Sequence, residues 1–474
     1  MALKIVKNIQ NKEIDVVENT KKVLEQVKKL NKEYNFLNTI SEELAIEQAE
    51  ELAKNPDPKG ILSGVPITIK DSICVKGVES TAGSKILKGY KPVFNATAVQ
   101  KCIDEGAIII GKSAQDEFGF GAFSTNIGIG LKTPLNPFDK ERACGGSSGG
   151  AAAIAQKMGD LGVMSMGEST GGSIVNPASF CGVFGMCPTY GRVSRYGIMD
   201  YGNSLDKLGP IAKTIEEVAV MMRAMSGFDE KESTSLNEPV EDYSNYLKKD
   251  LKGMKIGVIK EAFGEGTDKQ VEKKVWEGIK KLESNGAKYE EVSLSMPIEY
   301  GIPTYYMIAT SEASTNLAKY CGMRYGLHEK LEGNFNEYFT KVRSNNFGKE
   351  AKRRIMLGTF ARLAGYRDAY YIKAMKVRTL IIKEYKKVFK KFDLLATPTV
   401  PMLPPRFDET DKMTPLQNYM ADVMTAPPNL AGLPHLNVPV GLEKKDGKEL
   451  PVGLLLTGDH LQEGKLIQAG KEFK

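Results

Sequence analysis

Apolar residues in the first part of the chain recur at intervals of three and four positions, which is the spacing of one face of an α-helix. The run VVENTKKVLEQVKKL shows this period, and SEELAIEQAEELAKN repeats it after a serine suited to cap a helix. We therefore predict helices through residues 12–55, within a helical N-terminal segment, residues 1–58, that packs on the rest of the chain.

The period changes at GILSGVPITIKDSICV, where consecutive apolar and β-branched residues predict a buried strand. TAVQKCIDEGAIIIGKS predicts a helix, a glycine and an apolar strand, and MKIGVIKEAF, KQVEKKVWEGIKKLESNG and AKYEEVSL predict a strand, a helix and another strand. Alternation of this kind predicts an α/β fold with a largely parallel or mixed sheet. Residues 227–245 and 397–415 lack both periods and are expected to be loops.

Composition excludes several classes of function. The 474 residues are 41% apolar and 26% charged, and the net charge of +6 comes from 65 basic and 59 acidic residues that are interspersed along the chain. Such mixing argues against a nucleic-acid-binding face. Three histidines are too few and too far apart for a metal cluster. Six cysteines without CxxC spacing, and no apolar run of about 18 residues, lead us to expect a cytoplasmic protein with reduced thiols and no membrane contact.

The stretch GAIIIGKS, residues 106–113, matches the phosphate-binding loop pattern G-x-x-x-x-G-K-S. The four central positions of such a loop must be small residues whose amides surround a phosphate. Here they are Ala-Ile-Ile-Ile, so we interpret the stretch as a core strand that ends at a turn.

Serines and glycines are concentrated in GGSSGG and in GESTGGSIVNP, and two routes to a serine nucleophile are open. The pattern G-x-S-x-G occurs at residues 145–149 and 167–171, as in the nucleophile elbow of α/β-hydrolases, and His435 or His460 would then supply the base. The other route uses Lys70, which ends the apolar strand GVPITIK, because burial favours the neutral amine that can act as a base.

Lys70, GGSSGG and GGSIVNPASFCGVFG, taken in chain order, resemble the amidase signature family. The resemblance implies that Lys70 is the base, that Ser147 is a relay held on a cis peptide, and that Ser173 is the nucleophile. It also implies that the backbone amides of a short loop bind the oxyanion, at Thr170, Gly171 and Gly172. The expected architecture is one α/β domain over residues 1–474, the amidase signature fold, whose large mixed β-sheet is covered by helices on both faces. Its catalytic core would span residues 60–225, and residues 250–474 would complete the sheet and the substrate pocket.

Longer stretches outside the triad resemble one branch of the family, the A subunits of tRNA-dependent glutamine amidotransferases. They include GKSAQDEFGFG, TYGRVSRYGIMDYGNSLDKLGP, KRRIMLGTFARLAGYRDAYYIKAMKVR and APPNLAGLPHLNVPVG. This resemblance places Arg354 on the α-carboxylate of glutamine, Asp422 on its α-ammonium and Tyr305 beside it. A planar guanidinium suits a carboxylate, and an acidic side chain suits an ammonium.

The branch also implies a complex, in which this chain hydrolyses glutamine and supplies ammonia. A B subunit would bind the misacylated tRNA and use ATP and magnesium to activate its glutamate or aspartate, and a small C subunit would brace the two. No cofactor is expected in this chain itself. The alternatives are a stand-alone amidase and a catalytically silent scaffold subunit.

The chain departs from the family pattern at three positions near the triad. Ser169 replaces the usual aspartate, Val175 the usual arginine and Cys187 the usual lysine. These departures remove charges and motivate the silent-scaffold alternative.

Overall fold

A computed structural model describes residues 1–55 and 58–473. Within them, eleven strands form one mixed sheet in the order β1-β3-β2-β4-β6-β5-β10-β11-β9-β7-β8. The strands are β1 Leu37–Ile40, β2 Pro66–Lys70, β3 Ile108–Ser113, β4 Met164–Ser169, β5 Phe184–Cys187, β6 Lys207–Ala212, β7 Lys255–Ile259, β8 Lys288–Val292, β9 Leu394–Pro398, β10 His435–Lys445 and β11 Lys448–Gly458. Parallel pairing joins β3, β2 and β4 at one side and β9, β7 and β8 at the other, and antiparallel pairs fill the centre.

Sixteen α-helices connect the strands in the described part of the chain. They are α1 Ala2–Gln10, α2 Val16–Tyr34, α3 Glu42–Lys54, α4 Thr97–Asp104, α5 Gly149–Met158, α6 Val175–Phe180, α7 Ile215–Met225, α8 Lys269–Ser284, α9 Ser295–Asn316, α10 Phe335–Asn346, α11 Lys349–Arg362, α12 Lys373–Val388, α13 Phe407–Lys412, α14 Pro415–Met420, α15 Ala426–Leu430 and α16 Glu463–Gly470.

Strand β3 shows how helices cover both faces of the sheet. Ile109 belongs to the apolar cluster that contains residues of α4 and α7, whereas Ile108 and Ile110 belong to another that contains residues of α2 and α5. Because successive side chains of a strand point to opposite faces, the two clusters lie on opposite sides of the sheet. The α/β fold with a large mixed sheet is therefore confirmed.

The sequence predicts a purely helical N-terminal segment, and this prediction is wrong in part. Strand β1 interrupts the helices at Leu37–Ile40 and pairs antiparallel with β3 at the sheet edge. Its four residues are too few to show a period by themselves, so only the pairing reveals them. Ser41 precedes α3 but does not cap it, because its hydroxyl donates to the Ile109 carbonyl at 2.7 Å. Positions 56 and 57 of the predicted segment lie outside the described residues.

The two predicted loops have different outcomes. Residues 227–242 contain no helix or strand, as expected, but the end of this predicted loop is wrong, because a 3-10 helix forms at Tyr243–Lys248. The prediction for 397–415 is wrong in part, because β9 extends to Pro398 and α13 forms at Phe407–Lys412. A local signal explains this helix, since the Arg406 amide donates to the Glu409 carboxylate at 2.6 Å as the first half of a capping box.

The stretch GAIIIGKS forms β3, and all its strand residues are buried. Lys112 is fully enclosed and donates to Ser80 Oγ at 2.7 Å and to the Ile73 carbonyl. An amine held in this way inside the sheet is not placed to bind a phosphate, which confirms the interpretation as a core strand. Across the described residues, no helix combines the length and apolar character required to cross a membrane.

Candidate active site

Three turns meet at the carboxyl ends of the neighbouring parallel strands β2 and β4. Lys70 is the last residue of β2, Ser147 lies in the turn before α5, and Ser173 lies in the turn between β4 and α6. The carboxyl ends of parallel strands lie at the same edge of a sheet, so residues that are distant in the chain come together there.

The Lys70 amine lies in direct contact with the predicted relay. Its Nζ is 2.7 Å from Ser147 Oγ, 2.7 Å from the Glu168 carbonyl oxygen and 2.9 Å from Glu168 Oε2. Lys70 and Ser147 are both inaccessible to solvent, and the Gly146–Ser147 peptide bond is cis. The structure thus brings together the predicted base and the predicted relay.

Ser173 lies beside this pair and is the most accessible of the three residues. It is 7% exposed, whereas Lys70 and Ser147 are at 0%. Its carbonyl accepts a hydrogen bond from the Ser148 amide at 3.1 Å, which anchors the two serine turns to each other. Among the described residues, the Ser173 hydroxyl makes no hydrogen bond to Ser147. The predicted nucleophile is therefore adjacent to the base and relay but not linked to them through its hydroxyl.

The predicted oxyanion loop offers free backbone donors at two of its three predicted positions, whereas the Gly172 amide is directed at the Asp422 carboxylate, an interaction that opposes the rise that burial causes in the pKa of Asp422. In the described part of the chain, the amides of Thr170 and Gly171 donate to no backbone carbonyl. Close packing explains the glycines: a Cβ atom at Gly171 would lie 3.1 Å from the Tyr305 hydroxyl, and one at Gly172 would lie 2.4 Å from Thr425 Oγ1. A helix-starting turn with unpaired amides can stabilise a developing negative charge.

Tyr305 and Asp422 lie against this loop. Tyr305 comes from α9, is 3% exposed and forms the wall beside Gly171. Asp422 accepts a hydrogen bond from Asn176 Nδ2 at 2.7 Å, and Asn176 belongs to α6, which follows the predicted nucleophile. Burial raises the pKa of Asp422 to about 6, against the opposing effect of its hydrogen bonds.

Arg354 is enclosed by aromatic rings and paired with an acid. It comes from α11, its guanidinium lies 5.1 Å from the ring centres of Phe120 and of Tyr306, and its Nε donates to Glu350 at 2.8 Å. Its Nη1 also donates to the Tyr201 hydroxyl at 2.6 Å. Arg354 is therefore a buried, oriented cation and not part of an exposed helix face.

A cavity of about 220 Å³ opens next to this cation. Arg354, Tyr306 and Tyr419 are among the residues that line it, whereas Tyr305, Asp422 and the triad residues are not. Tyr305 and Asp422 thus adjoin the oxyanion loop and Arg354 adjoins the cavity, while Tyr306 packs against both Tyr305 and Arg354 and so links the two groups.

Sequence reasoning missed Glu168, which contacts Lys70 through both its carbonyl and its carboxylate. It is 4% exposed on β4, and its other carboxylate oxygen lies 3.2 Å from the Thr170 hydroxyl. That hydroxyl also lies 2.7 Å from Asp206, whose pKa is held well above its usual range by burial and then by the charge of Glu168. An acidic residue inside the apolar strand MSMGES was the available signal.

The three departures from the family pattern are all buried. Ser169 donates its hydroxyl to the Gly171 carbonyl at 3.0 Å, which holds the oxyanion loop from within. Cys187 lies beside the Lys207 amine, which donates to the Leu433 carbonyl at 2.9 Å. Burial raises the pKa of the Cys187 thiol. The region therefore keeps an amine and a carboxylate, Lys207 and Glu168, near the positions where charges are missing.

The histidines do not complete a hydrolase elbow. His435 Nδ1 contacts the Leu433 carbonyl at 3.0 Å, and burial lowers its pKa well below the usual range. His460 contacts Asp459 and the Ala431 carbonyl. Among the described residues, no histidine is hydrogen-bonded to Ser147 or Ser169, the central serines of the two G-x-S-x-G patterns.

Comparison with known families decides between the two routes to a serine nucleophile. The family model described as Amidase matches residues 18–467. The chain belongs to the amidase family. Membership in this family favours the route through Lys70 over the elbow interpretation of G-x-S-x-G.

Named members of the amidase family resemble the chain over nearly its whole length. The A subunit of glutamyl-tRNA(Gln) amidotransferase from Microcystis aeruginosa is 44% identical over 98% of this chain and 95% of its own length. The protein of the same name from Streptococcus sanguinis is 46% identical over 98% of this chain and 93% of its own length.

Solved amidase structures share the fold. A crystal structure of the A subunit of glutamyl-tRNA(Gln) amidotransferase from Thermotoga maritima has a TM-score of 0.78 at 35% identity and covers 96% of this chain and 90% of that one. A bacterial aryl acylamidase of the amidase signature family superposes with a TM-score of 0.85 at 24% identity and covers 100% of this chain and 95% of that one. The latter likeness shows the fold alone.

Proposed function

We propose that this chain is the glutaminase subunit of a tRNA-dependent amidotransferase. The contact that carries the proposal is the 2.7 Å approach of the Lys70 amine to Ser147 Oγ inside a solvent-free site, next to the accessible Ser173. The identity of 44% to 46% with amidotransferase A subunits over 98% of the chain supports glutamine as the substrate.

In the proposed reaction, a neutral Lys70 accepts the hydroxyl proton of Ser147, and Ser147 accepts that of Ser173. Ser173 Oγ then forms a bond to the side-chain amide carbon of glutamine. Amides of the loop at Thr170 and Gly171 stabilise the oxyanion, and loss of one such donor typically costs about 3 kcal/mol. The proton returns through Ser147 to the leaving nitrogen, the C–N bond breaks and ammonia leaves. Water then cleaves the glutamyl ester by the same route and releases glutamate.

The proposed pocket binds the α-carboxylate and α-ammonium groups of glutamine. Arg354 would receive the α-carboxylate, Asp422 the α-ammonium, and Tyr305 would line the path to the nucleophile. Because the pKa of Asp422 is about 6, its carboxylate is charged at neutral pH and can form an ion pair with an ammonium group. Protonation below that pH would weaken this contact.

The proposal extends to an assembly in the cytoplasm. Ammonia would pass to a B subunit that binds the misacylated tRNA, Glu-tRNA(Gln) or Asp-tRNA(Asn), and that uses ATP and magnesium to activate it. A C subunit would complete a heterotrimer. The names of the relatives refer to Glu-tRNA(Gln) and to a subunit of a larger enzyme, which supports this extension.

The decisive experiment measures ammonia release from glutamine by the assembled complex with Ser173→Ala. We expect activity to fall to background, because the attacking oxygen is gone. Ser165→Ala is the control, since Ser165 is a fully buried serine on β4 whose hydroxyl, in the described part of the chain, is hydrogen-bonded to the Ala151 carbonyl and the Thr68 hydroxyl. Substantial turnover in the Ser173 variant would overturn the proposal.

The same complex separates the two remaining alternatives. A stand-alone amidase would hydrolyse simple amides without its partners and without Arg354. A silent scaffold, which the losses at Ser169 and Val175 would suit, would assemble normally and release no ammonia from glutamine.

A further inference from the structure

The sequence places an acid at Glu168 and a serine at Ser169, and the strand turns these neighbours to opposite faces of the sheet. Glu168 points to Lys70, with 2.9 Å between carboxylate and amine, whereas Ser169 points back to the Gly171 carbonyl. The acid of this strand is thus in contact with the amine of the proposed base.

The Lys70 amine has three oxygen neighbours, and two of them can only accept hydrogen bonds. These are the carbonyl and the carboxylate of Glu168, at 2.7 and 2.9 Å. A neutral amine has two hydrogens and one lone pair. If its hydrogens go to the two Glu168 oxygens, its lone pair faces Ser147 Oγ, which is the orientation that proton abstraction from Ser147 requires.

The charge of the carboxylate acts in the other direction. A negative charge about 3 Å from an amine favours the ammonium form, and more so in a buried site. Glu168 therefore orients the amine and also places its charge against that amine.

We propose that Glu168 is a positioning residue that aims the Lys70 amine at Ser147 and places a negative charge against the proposed base. This inference rests on the proposed function, since it assigns a role within the same site. One Glu168 carboxylate oxygen contacts Lys70 and the other accepts a hydrogen bond from the Thr170 hydroxyl, and the role proposed here is exerted through Lys70.

Other ionisable groups surround the pair. Asp116 faces it from the segment after β3, Asp206 from the segment before β6 and Cys187 from the end of β5. Burial raises the pKa of Asp116 to about 6 and that of Asp206 well above its usual range, and burial also raises that of the Cys187 thiol. Asp116 accepts hydrogen bonds from the amides of Ser124 and Asn126, so its carboxylate is held by the backbone. Among the described residues, Glu168 is the acid whose carboxylate touches Lys70.

The test compares Glu168→Gln with the unaltered chain over a range of pH. The amide side chain of the Glu168→Gln variant keeps an oxygen that can accept a hydrogen bond from the Lys70 amine but carries no charge. The acidic limb of the activity profile should therefore move to lower pH by about one to three units. Glu168→Asp keeps the charge but moves it away from the amine by the length of one methylene group. The acidic limb of its activity profile should lie between those of the unaltered chain and Glu168→Gln. Glu217→Gln is the control, because Glu217 is 1% exposed and accepts hydrogen bonds only far from the site, from the Met1 amine and the amides of Ala2 and Thr214.

Two readouts separate this inference from the proposed function. The first is ammonia release from glutamine by the complex. The second is the rate at which phenylmethanesulfonyl fluoride inactivates the full-length chain, in which Ser173 Oγ bonds to sulfur, fluoride leaves and the proton passes to Lys70. This labelling needs an activated serine but no glutamine, and Ser173→Ala should abolish it.

A shifted limb in labelling without any ammonia release would support the role of Glu168 and overturn glutamine as the substrate. An unshifted limb in both readouts would overturn the role of Glu168. So would loss of labelling at every pH in a Glu168→Gln chain that melts at the temperature of the unaltered protein, because the carboxylate would then be an obligatory proton acceptor. If Glu168→Gln does not fold, the limb of Glu168→Asp decides.

Discussion

Lys70 and Lys112 lie on adjacent parallel strands, and each is completely buried beside a serine hydroxyl at 2.7 Å. Lys112 Nζ otherwise contacts the backbone carbonyls of Asp71 and Ile73, its distance to the Asp71 carboxylate is 3.9 Å, and the Ser80 hydroxyl donates to the Val78 carbonyl at 3.1 Å. Ser147, in contrast, adjoins the turn that carries the accessible Ser173. The proposed function makes Lys70 the base and not Lys112, and the feature that distinguishes the two lysines is the second serine turn beside Ser147.

The sharpest way to break this comparison is to replace each lysine by methionine, which is of similar length and uncharged. Lys70→Met should slow ammonia release by about 10²–10⁴-fold, the usual contribution of a general base. Lys112→Met should leave that rate within about threefold and lower the free energy of unfolding by about 1–3 kcal/mol, because buried acceptors lose their donor. The measurements are kcat/KM for glutamine and urea unfolding. Equal losses of activity in two folded variants would contradict the distinction.

The serines provide a second contrast, with a smaller expected effect on stability. Ser147→Ala should reduce kcat by about 10²-fold or more, because the proton path from Ser173 to Lys70 is cut. Ser80→Ala removes one hydrogen bond to Lys112 and should cost about 1 kcal/mol of stability, with kcat unchanged. Thermal unfolding of both variants shows whether a fall in kcat reflects chemistry or folding. A fall in kcat for a folded Ser80→Ala chain would show that the Lys112 site also serves the reaction.

The pH dependence of stability should also reveal Lys112. Burial lowers the pKa of Lys112 from 10.5 to about 8. Between these values the unfolded chain binds the proton and the folded chain does not, so this residue makes the fold more stable as pH rises through the window, by about 1.4 kcal/mol per pH unit at most. Lys112→Met should lack this slope in urea unfolding between about pH 8 and about pH 10. An identical slope in the variant would mean that Lys112 keeps its proton inside the fold.

Much of the architecture could be predicted because its strongest signals are local. The apolar run before Lys70, the isoleucines of β3 and the period of α2 each define an element without reference to the rest of the chain. Strand β1 could not be predicted in this way, because its four residues become a strand only when β3 offers an edge. Helix α13 was hidden by its proline-rich surroundings, although its capping residues were present in the sequence.

The same distinction between local signals and features that depend on distant segments applies to the candidate site. Glycines and serines in a recognisable order pointed to Lys70, Ser147 and Ser173, and the structure brings these residues to one edge of the sheet. The partner of Lys70 could not be foreseen, because the direction of the Glu168 side chain depends on how β4 packs beside β2. The aromatic enclosure of Arg354 likewise draws on three separated segments, with Phe120, Tyr306 and Tyr419 far apart in the chain. The roles assigned to these residues stay predictions until the variants are measured.

The hydrogen bond between Asn176 and Asp422 joins two parts of the molecule that the chain keeps far apart. Asn176 also packs against Gly172, so Asp422 and the loop next to Ser173 share a single bracing side chain. A ligand that binds Asp422 would therefore also act on the turn that carries Ser173. An amide that lacks an amino group could not make this contact with Asp422, so its binding would not restrain the turn.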